Sequence, residues 1–261
     1  YKGEPFMHIY CVKFKTLRTI FLMILVVVLL AINIDGNTYA SVYFNSSMRK
    51  VPVYYVNTDE KKVAISFDAA WGADKTEKIM EICSEYNVKA TFFLTGIWVE
   101  KYPELVKKIY DNGFEIGTHS NTHPDMTKLS QSQMKLELET CCNMITEITG
   151  QKISIFRPPY GAYNDTLIET AKELDLTTIQ WDVDSLDWKG ISAMEITNRI
   201  LNGVRCGSII LCHNNSDHIL EALPIVLDRL QKKGYTITNV GDILIKGEYF
   251  IDNNGMQSAQ M

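Results

Sequence analysis

From residue 60 onward the chain alternates between short apolar runs and longer amphipathic stretches. The runs lie at 63–67, 90–94, 114–117, 153–156, 177–181, 208–212 and 235–238. Each is rich in β-branched and aromatic residues and short enough for a buried strand. The stretches between them carry helix punctuation. Ser130 and Gln133 make a capping box, Met134, Leu138, Cys141, Ile145 and Ile148 share one face, and Gly150 ends the helix. Ser192 and Glu195 repeat the device ahead of Ile196 and Ile200. Pro103 suits a first turn and Gly113 a helix end. Leu220, Leu223, Leu227 and Leu230 precede Gly234. Strands separated by helices predict a parallel sheet covered by helices. Seven candidate strands favour a single distorted (β/α) barrel over a small doubly wound sheet. The barrel is expected over 60–246, with seven to eight strands. The Asn- and Gln-containing tail at 247–261 reads as a flexible extension.

The first 40 residues follow another pattern. Lys13, Lys15 and Arg18 precede an unbroken apolar run at 20–32. About 13 residues suit the core of a signal peptide and fall short of the ~20 of a spanning helix. Thr38-Tyr39-Ala40 offers a small-x-small cleavage site. Extending the run to 17–34 would give a short anchor instead. Either way the expectation is export, secreted or held by one N-terminal membrane segment. Residues 41–59 then form a linker with strand character at 51–56.

Composition narrows the function. The formal net charge is -5, which argues against a broad phosphate-contacting surface and so against nucleic acid as a partner. Nothing demands an obligate protein partner. The six cysteines show no CxxC pair. They read as small buried hydrophobes rather than a disulfide scaffold or zinc ribbon.

Several strand-like runs end in groups able to do chemistry. Asp68 follows the first, His119 and His123 the third, Arg157 the fourth, Asp182, Asp184 and Asp187 the fifth, and His213 ends the sixth. In a parallel barrel these ends share one face, where active sites are built. His119 and His123 have i,i+4 spacing and can share a divalent metal, with zinc the natural candidate. Asp68 with Arg157 suits a general base held ionised by a bidentate guanidinium. His213 with Asp187 suits an oriented general acid. Trp71, Tyr160 and Trp188 sit at loop positions where they would wall a groove.

In this order the clusters resemble the NodB-homology polysaccharide deacetylases, carbohydrate esterase family 4. The matching segments are Ser66-Phe67-Asp68, His119-Ser-Asn-Thr-His123, Arg157-Pro-Pro-Tyr160-Gly161, Asp184-Ser-Leu-Asp187-Trp188 and Leu211-Cys-His213. The resemblance spans roughly 61–244. Within the family, Asp68-Ala-Ala-Trp71-Gly72 and the short N-terminal segment look most like a sporulation-linked subfamily. The resemblance implies metal-assisted removal of an N-acetyl group from a glycan, peptidoglycan or a related N-acetylhexosamine polymer. It makes Asp68 the base, His213 the acid, Asp187 and Arg157 their orienting partners, and His119 and His123 the metal ligands. It assigns the backbone N–H of Tyr160 to the oxyanion, and Trp188 and Leu211 to the acetyl pocket. Two positions depart from the pattern. Ala69 stands where the family has the third metal ligand, an Asp, and Asn214 where an acidic residue is common. Ala69 favours one alternative, a catalytically silent glycan-binding wall protein. An O-acetyl esterase on the same fold is a second alternative, because the motifs read the scissile acetyl group more than the rest of the ligand.

Overall fold

A computed structural model describes residues 14–34 and 49–260. The chain divides into two units between Arg49 and Lys50. In the first, the apolar run lies within helix α1, Phe14–Ile34. Its side chains are described from Lys15 to Val26. Among the described residues no helix is long and apolar enough to cross a membrane. The cleavage site at 38–40, Lys13, Cys11 and linker residues 41–48 lie outside the described residues.

The second unit is the barrel. Strand β1 is Tyr55–Val56, and β2 is Lys62–Ala69. Beyond these come β3 Thr91–Leu94, β4 Glu115–Thr118, β5 Ile155–Phe156, β6 Thr177–Thr178, β7 Val183–Asp184, β8 Ile209–His213 and β9 Thr236–Thr238. All seven expected runs form strands, and β7 is an addition to them. The sheet runs β6-β5-β4-β3-β2-β8-β7, with β9 paired to the start of β2. Every pairing in it is parallel. Its two edges, β6 and β7, are separated in sequence only by residues 179–182. The sheet therefore curls back on itself, and this short stretch spans the seam. The result is a distorted parallel barrel.

Parallel strands buried on both faces should be apolar throughout, and β2 is buried from Val63 to Ala69. Its alternation sorts the two faces. Val63, Ile65, Phe67 and Ala69 join the large core cluster under the helices. Ala64 joins a second cluster with Val53, Phe93, Ile155, Ile179 and Ile209. Ser66 and Asp68 share the parity of Ala64 and so project along the barrel interior. Full burial of a side chain of Val, Leu or Phe size contributes ~1.5–3 kcal/mol. The covering helices are α2 Thr76–Glu85, α3 Gly96–Lys101, α4 Pro103–Asp111, α5 Gln131–Thr149, α6 Asp165–Glu173, α7 Ala193–Gly203, α8 Ile219–Lys232 and the short α9 Val240–Ile243. Both expected capping boxes are present, and Gly150 ends α5 in the left-handed conformation.

Two expectations are corrected. The stretch after residue 246 is folded, not loose. Strands β10, Tyr249–Ile251, and β11, Met256–Ala259, form a hairpin, and β11 pairs with β1. Its polar residues are turn and bracing chemistry. Asp252 Oδ1 accepts from the N–H groups of Asn254 and Met256, and the buried Gln257 side chain accepts from Ile245 N. The end of the presumed linker is also structural. Val53 and Val56 are buried, and Val53 exchanges backbone hydrogen bonds with Thr178 and Gln180 at the seam. Of the cysteines, Cys83, Cys141 and Cys212 are buried, Cys142 and Cys206 half-buried, and all five are free.

Candidate active site

The C-terminal strand ends deliver their side chains to one cavity of about 530 Å³. Asp68 ends the interior face of β2 and is nearly buried, at 6% exposure. Arg157, fully buried, donates from Nη1 to Asp68 Oδ1 at 2.8 Å and to Ser66 Oγ at 2.8 Å. Its Nη2 donates to Gln180 O at 3.1 Å, and its guanidinium lies 4.1 Å from the centre of the Phe93 ring. A Cβ at Gly117 would stand 2.6 Å from that ring, so β4 needs glycine there. The expected bidentate pair is corrected: Nη1 alone meets the carboxylate, because Nη2 is committed to a backbone carbonyl. Burial by itself would raise the Asp68 pKa; Arg157, then His119 and His213, overcome it and hold the carboxyl below its ordinary value. Oδ1 is engaged by Arg157, leaving Oδ2 to face the imidazole of His119 at 3.6 Å.

His213 ends β8 directly opposite Asp68 in the β2–β8 register. Asp187, buried, grips it twice. Oδ1 lies 2.7 Å from His213 Nδ1, and Oδ2 accepts from His213 N at 2.8 Å. The carboxylate fixes the proton on Nδ1 and leaves Nε2 for the cavity. Burial would lower the His213 pKa, but the Asp187 hydrogen bond and charge, helped by Asp68 and Asp184, raise it.

The two remaining imidazoles sit beyond β4. His119 Nδ1 lies 2.7 Å from Arg157 O, so it carries the proton and Nε2 offers its lone pair toward Asp68. His123 packs edge-on between Trp71 and Tyr160, with ring centroids at 4.8 and 4.6 Å, and 4.9 Å from His119. Burial, then the neighbouring His119, push its pKa down to about 4, so it is neutral at physiological pH. The loop is braced from α5. Glu137 accepts from Asn121 N, Thr122 N and Thr122 Oγ1. Ser120, His123, Tyr160 and Leu186 all have positive φ without being glycine. Such strain, of order 1–3 kcal/mol per residue, collects at functional sites.

Trp71, Tyr160 and Trp188 stand at the rim with more than half their surface exposed, and Leu211 lines the wall. The ten side chains singled out by sequence thus converge. Eight line the cavity, while Arg157 and Asp187 sit buried behind Asp68 and His213. Asp184, Trp181 and Asn215 also line it. Asp184 was visible at a strand end, but nothing distinguished its orientation from that of Asp182, which turns away to Ser208, Ile209 N and Arg205. Glu137 carried no signal, since a helix glutamate ordinarily faces solvent.

His119 Nε2 presents a lone pair, and His123 Nδ1 is buried with no hydrogen-bond partner. A catalytic zinc wants three protein ligands. Ala69 is fully buried in the helix-facing cluster and does not reach the cavity. Among the described residues no group of three or more His, Cys, Asp or Glu side chains could hold a metal ion. The donor set is two imidazoles and falls short of a three-ligand site.

The polysaccharide deacetylase family model matches residues 55–179. The chain is 31% identical to the peptidoglycan-N-acetylmuramic acid deacetylase PdaA of Bacillus subtilis, covering 78% of this chain and 80% of PdaA. The chain belongs to the polysaccharide deacetylase family. Members are hydrolases acting on the amide bonds of N-acetyl groups, and they are generally metal-dependent. The chain is also 34% identical to a peptidoglycan-N-acetylglucosamine deacetylase of Bacillus cereus, over 67% of this chain and 66% of that protein. It is 35% identical to the uncharacterized protein YlxY of B. subtilis, over 76% of this chain and 62% of YlxY. The chain thus spans less than two thirds of these last two relatives. Among solved structures, wild-type BA3943 of Bacillus anthracis, described as a pseudoenzyme of carbohydrate esterase family 4, matches at TM-score 0.72 and 33% identity, covering 76% of this chain and 70% of that one. A BA3943 mutant described as having restored enzymatic activity matches at the same TM-score and 34% identity.

Proposed function

We propose that this chain is an exported peptidoglycan deacetylase that removes the acetyl group from N-acetylhexosamine units. One observation carries the proposal. A carboxyl whose pKa is held below its ordinary value and an imidazole whose pKa is raised pair at one register, Asp68 with His213, and both line one cavity. Those shifts run toward the charge states that hydrolysis of an amide needs. Asp68 Oδ2 takes a proton from the attacking water, and His213 Nε2 delivers one to the leaving amine. Each such transfer is worth typically ~10²–10⁴ in rate. Arg157 lowers the pKa of Asp68 and Asp187 raises that of His213, each toward the state this chemistry uses. Leu211 and Trp188 receive the acetyl methyl, the Tyr160 N–H faces the developing oxyanion, and Trp71 and Tyr160 wall the sugar. Export is supported by the basic residues ahead of the apolar run, and a sporulation setting by the subfamily likeness.

A second reading is favoured by Ala69 and by the likeness to BA3943: a glycan binder with little or no turnover. Acetate release from peptidoglycan fragments separates the two. Metal-stripped protein is assayed, then titrated with zinc. Under the deacetylase proposal release is measurable, falls to background in Asp68→Asn and His213→Ala, and zinc reports what two imidazoles contribute. Glycan binding by folded protein without release at any zinc concentration establishes the silent binder instead.

A further inference from the structure

We propose that Asn214 is a positioning residue whose side-chain amide fixes Trp71 as a wall of the glycan pocket. The inference rests on the reading that the cavity takes a glycan. Asn214 follows His213 directly and is 1% exposed. Its backbone N–H donates to Asp68 O at 3.2 Å. Its Nδ2 donates to Gly72 O at 3.0 Å and lies 3.1 Å from Thr76 Oγ1. Gly72 O also accepts from Trp98 Nε1 at 2.7 Å. One carbonyl, in the residue after Trp71, is therefore held by two buried donors from two different elements.

The neighbouring chain tightens the same seam. Lys75 Nζ donates to Asn215 O at 3.1 Å and Ser216 O at 2.9 Å, tying the loop after β2 to the loop after β8. Gly72 has φ +66, and a Cβ there would sit 3.2 Å from Asn215 Cβ. In this loop Trp71 presents its indole to His123 at the pocket rim.

The chemistry demands a donor. A carbonyl can only accept, so whatever faces Gly72 O must donate. A carboxylate at position 214 has no proton to give and would set a buried negative charge against that oxygen. The amide cannot flip either, since its oxygen would then meet Gly72 O. Asn214 Oδ1 is left buried without a partner, a sign that orientation is set by the donor side alone. Asn214 in this chain is thus matched to the Trp71-Gly72 turn.

The test uses the full chain and a defined probe, an N-acetylglucosamine tetramer, titrated by calorimetry. Asn214→Asp is expected to weaken binding ~2- to 10-fold, the usual worth of one hydrogen bond. Trp71→Ala is expected to weaken it at least as much, and the double variant to match Trp71→Ala alone. That non-additivity is what acting through Trp71 means. Additive losses, or Asn214→Asp binding as tightly as the parent, would overturn the proposal. Acrylamide quenching, with the Trp71 contribution taken by difference from Trp71→Phe, gives a reading independent of glycan. Trp71 should become more accessible in Asn214→Asp; unchanged quenching counts against the inference. If the parent binds no tetramer, the glycan reading of the pocket fails and quenching alone decides. If Asn214→Asp does not fold, Trp98→Phe removes the other donor to Gly72 O and must shift quenching in the same direction.

Discussion

The two sides of the pocket are built to different standards. Between β2 and β8, each ionisable group meets an orienting partner: Asp68 has Arg157, and His213 has both oxygens of Asp187. Beyond β4, the imidazoles of His119 and His123 are placed, neutral and braced, yet among the described residues no third side chain completes a ligand set. The proton-handling side depends on pairs that fold together across strands. The imidazole side depends on a position, residue 69, that packs with the helices. The contrast is between charges paired across strands and two imidazoles that, among the described residues, have no third ligand beside them.

The largest effects should come from breaking the complete side. Asp68→Asn removes the base, and acetate release should drop by ~10²–10⁴. Arg157→Met strands a buried carboxylate. With the largest of the charges that oppose burial gone, the Asp68 pKa should rise. Losing one partner of a buried pair costs ~3–5 kcal/mol, read as a lower Tm. The pair Asp68→Asn with Arg157→Met should recover part of that stability and none of the activity. If Arg157→Met keeps both Tm and rate, the guanidinium does not hold the base.

Next comes an attempt to complete the other side. Ala69→Asp places a carboxyl where the parent side chain is fully buried. Without metal this should cost ~1–3 kcal/mol, the penalty for burying an unpartnered polar group. The longer side chain should turn from the helix-facing cluster toward the imidazoles, so zinc should return that stability by mass action, and acetate release should increase with it. A Tm of Ala69→Asp that ignores zinc would show that the imidazole side is not one ligand short, and that its geometry serves another purpose.

Much of this was legible in sequence because the barrel writes its chemistry at strand ends. The runs ending in Asp68, His119, Arg157 and His213 are apolar and long enough to read, so the convergence could be inferred before any coordinates. What stayed hidden was short or long-range. Strand β7 is Val183–Asp184 within an acidic stretch that reads as loop. The C-terminal hairpin is polar and depends on β1, some two hundred residues earlier in the chain. The Arg157 geometry needed the position of Gln180 O, and the Gly72 carbonyl joins Asn214 to Trp98 across strands. None of those contacts leaves a periodic trace.

The smallest effect sharpens the comparison from within the complete side. His213 has its pKa raised by Asp187 against the pull of burial. A raised histidine pKa contributes stability that is fully present below the unfolded value and is lost as pH rises through the folded one. Under the deacetylase proposal the same pKa sets the alkaline limb of activity, since His213 would have to carry a proton to donate. Under the same proposal the depressed pKa of Asp68 would place the acid limb below the ordinary aspartate range. Asp187→Asn keeps the shape and removes the charge. The alkaline limb should move to lower pH, and the stability difference across that interval should shrink with it. Following the His213 ring protons by NMR across pH in the parent and in Asp187→Asn checks both together. A limb that stays in place while the His213 titration moves would assign the acid to another group, and the register pairing of Asp68 with His213 would then be structural rather than chemical.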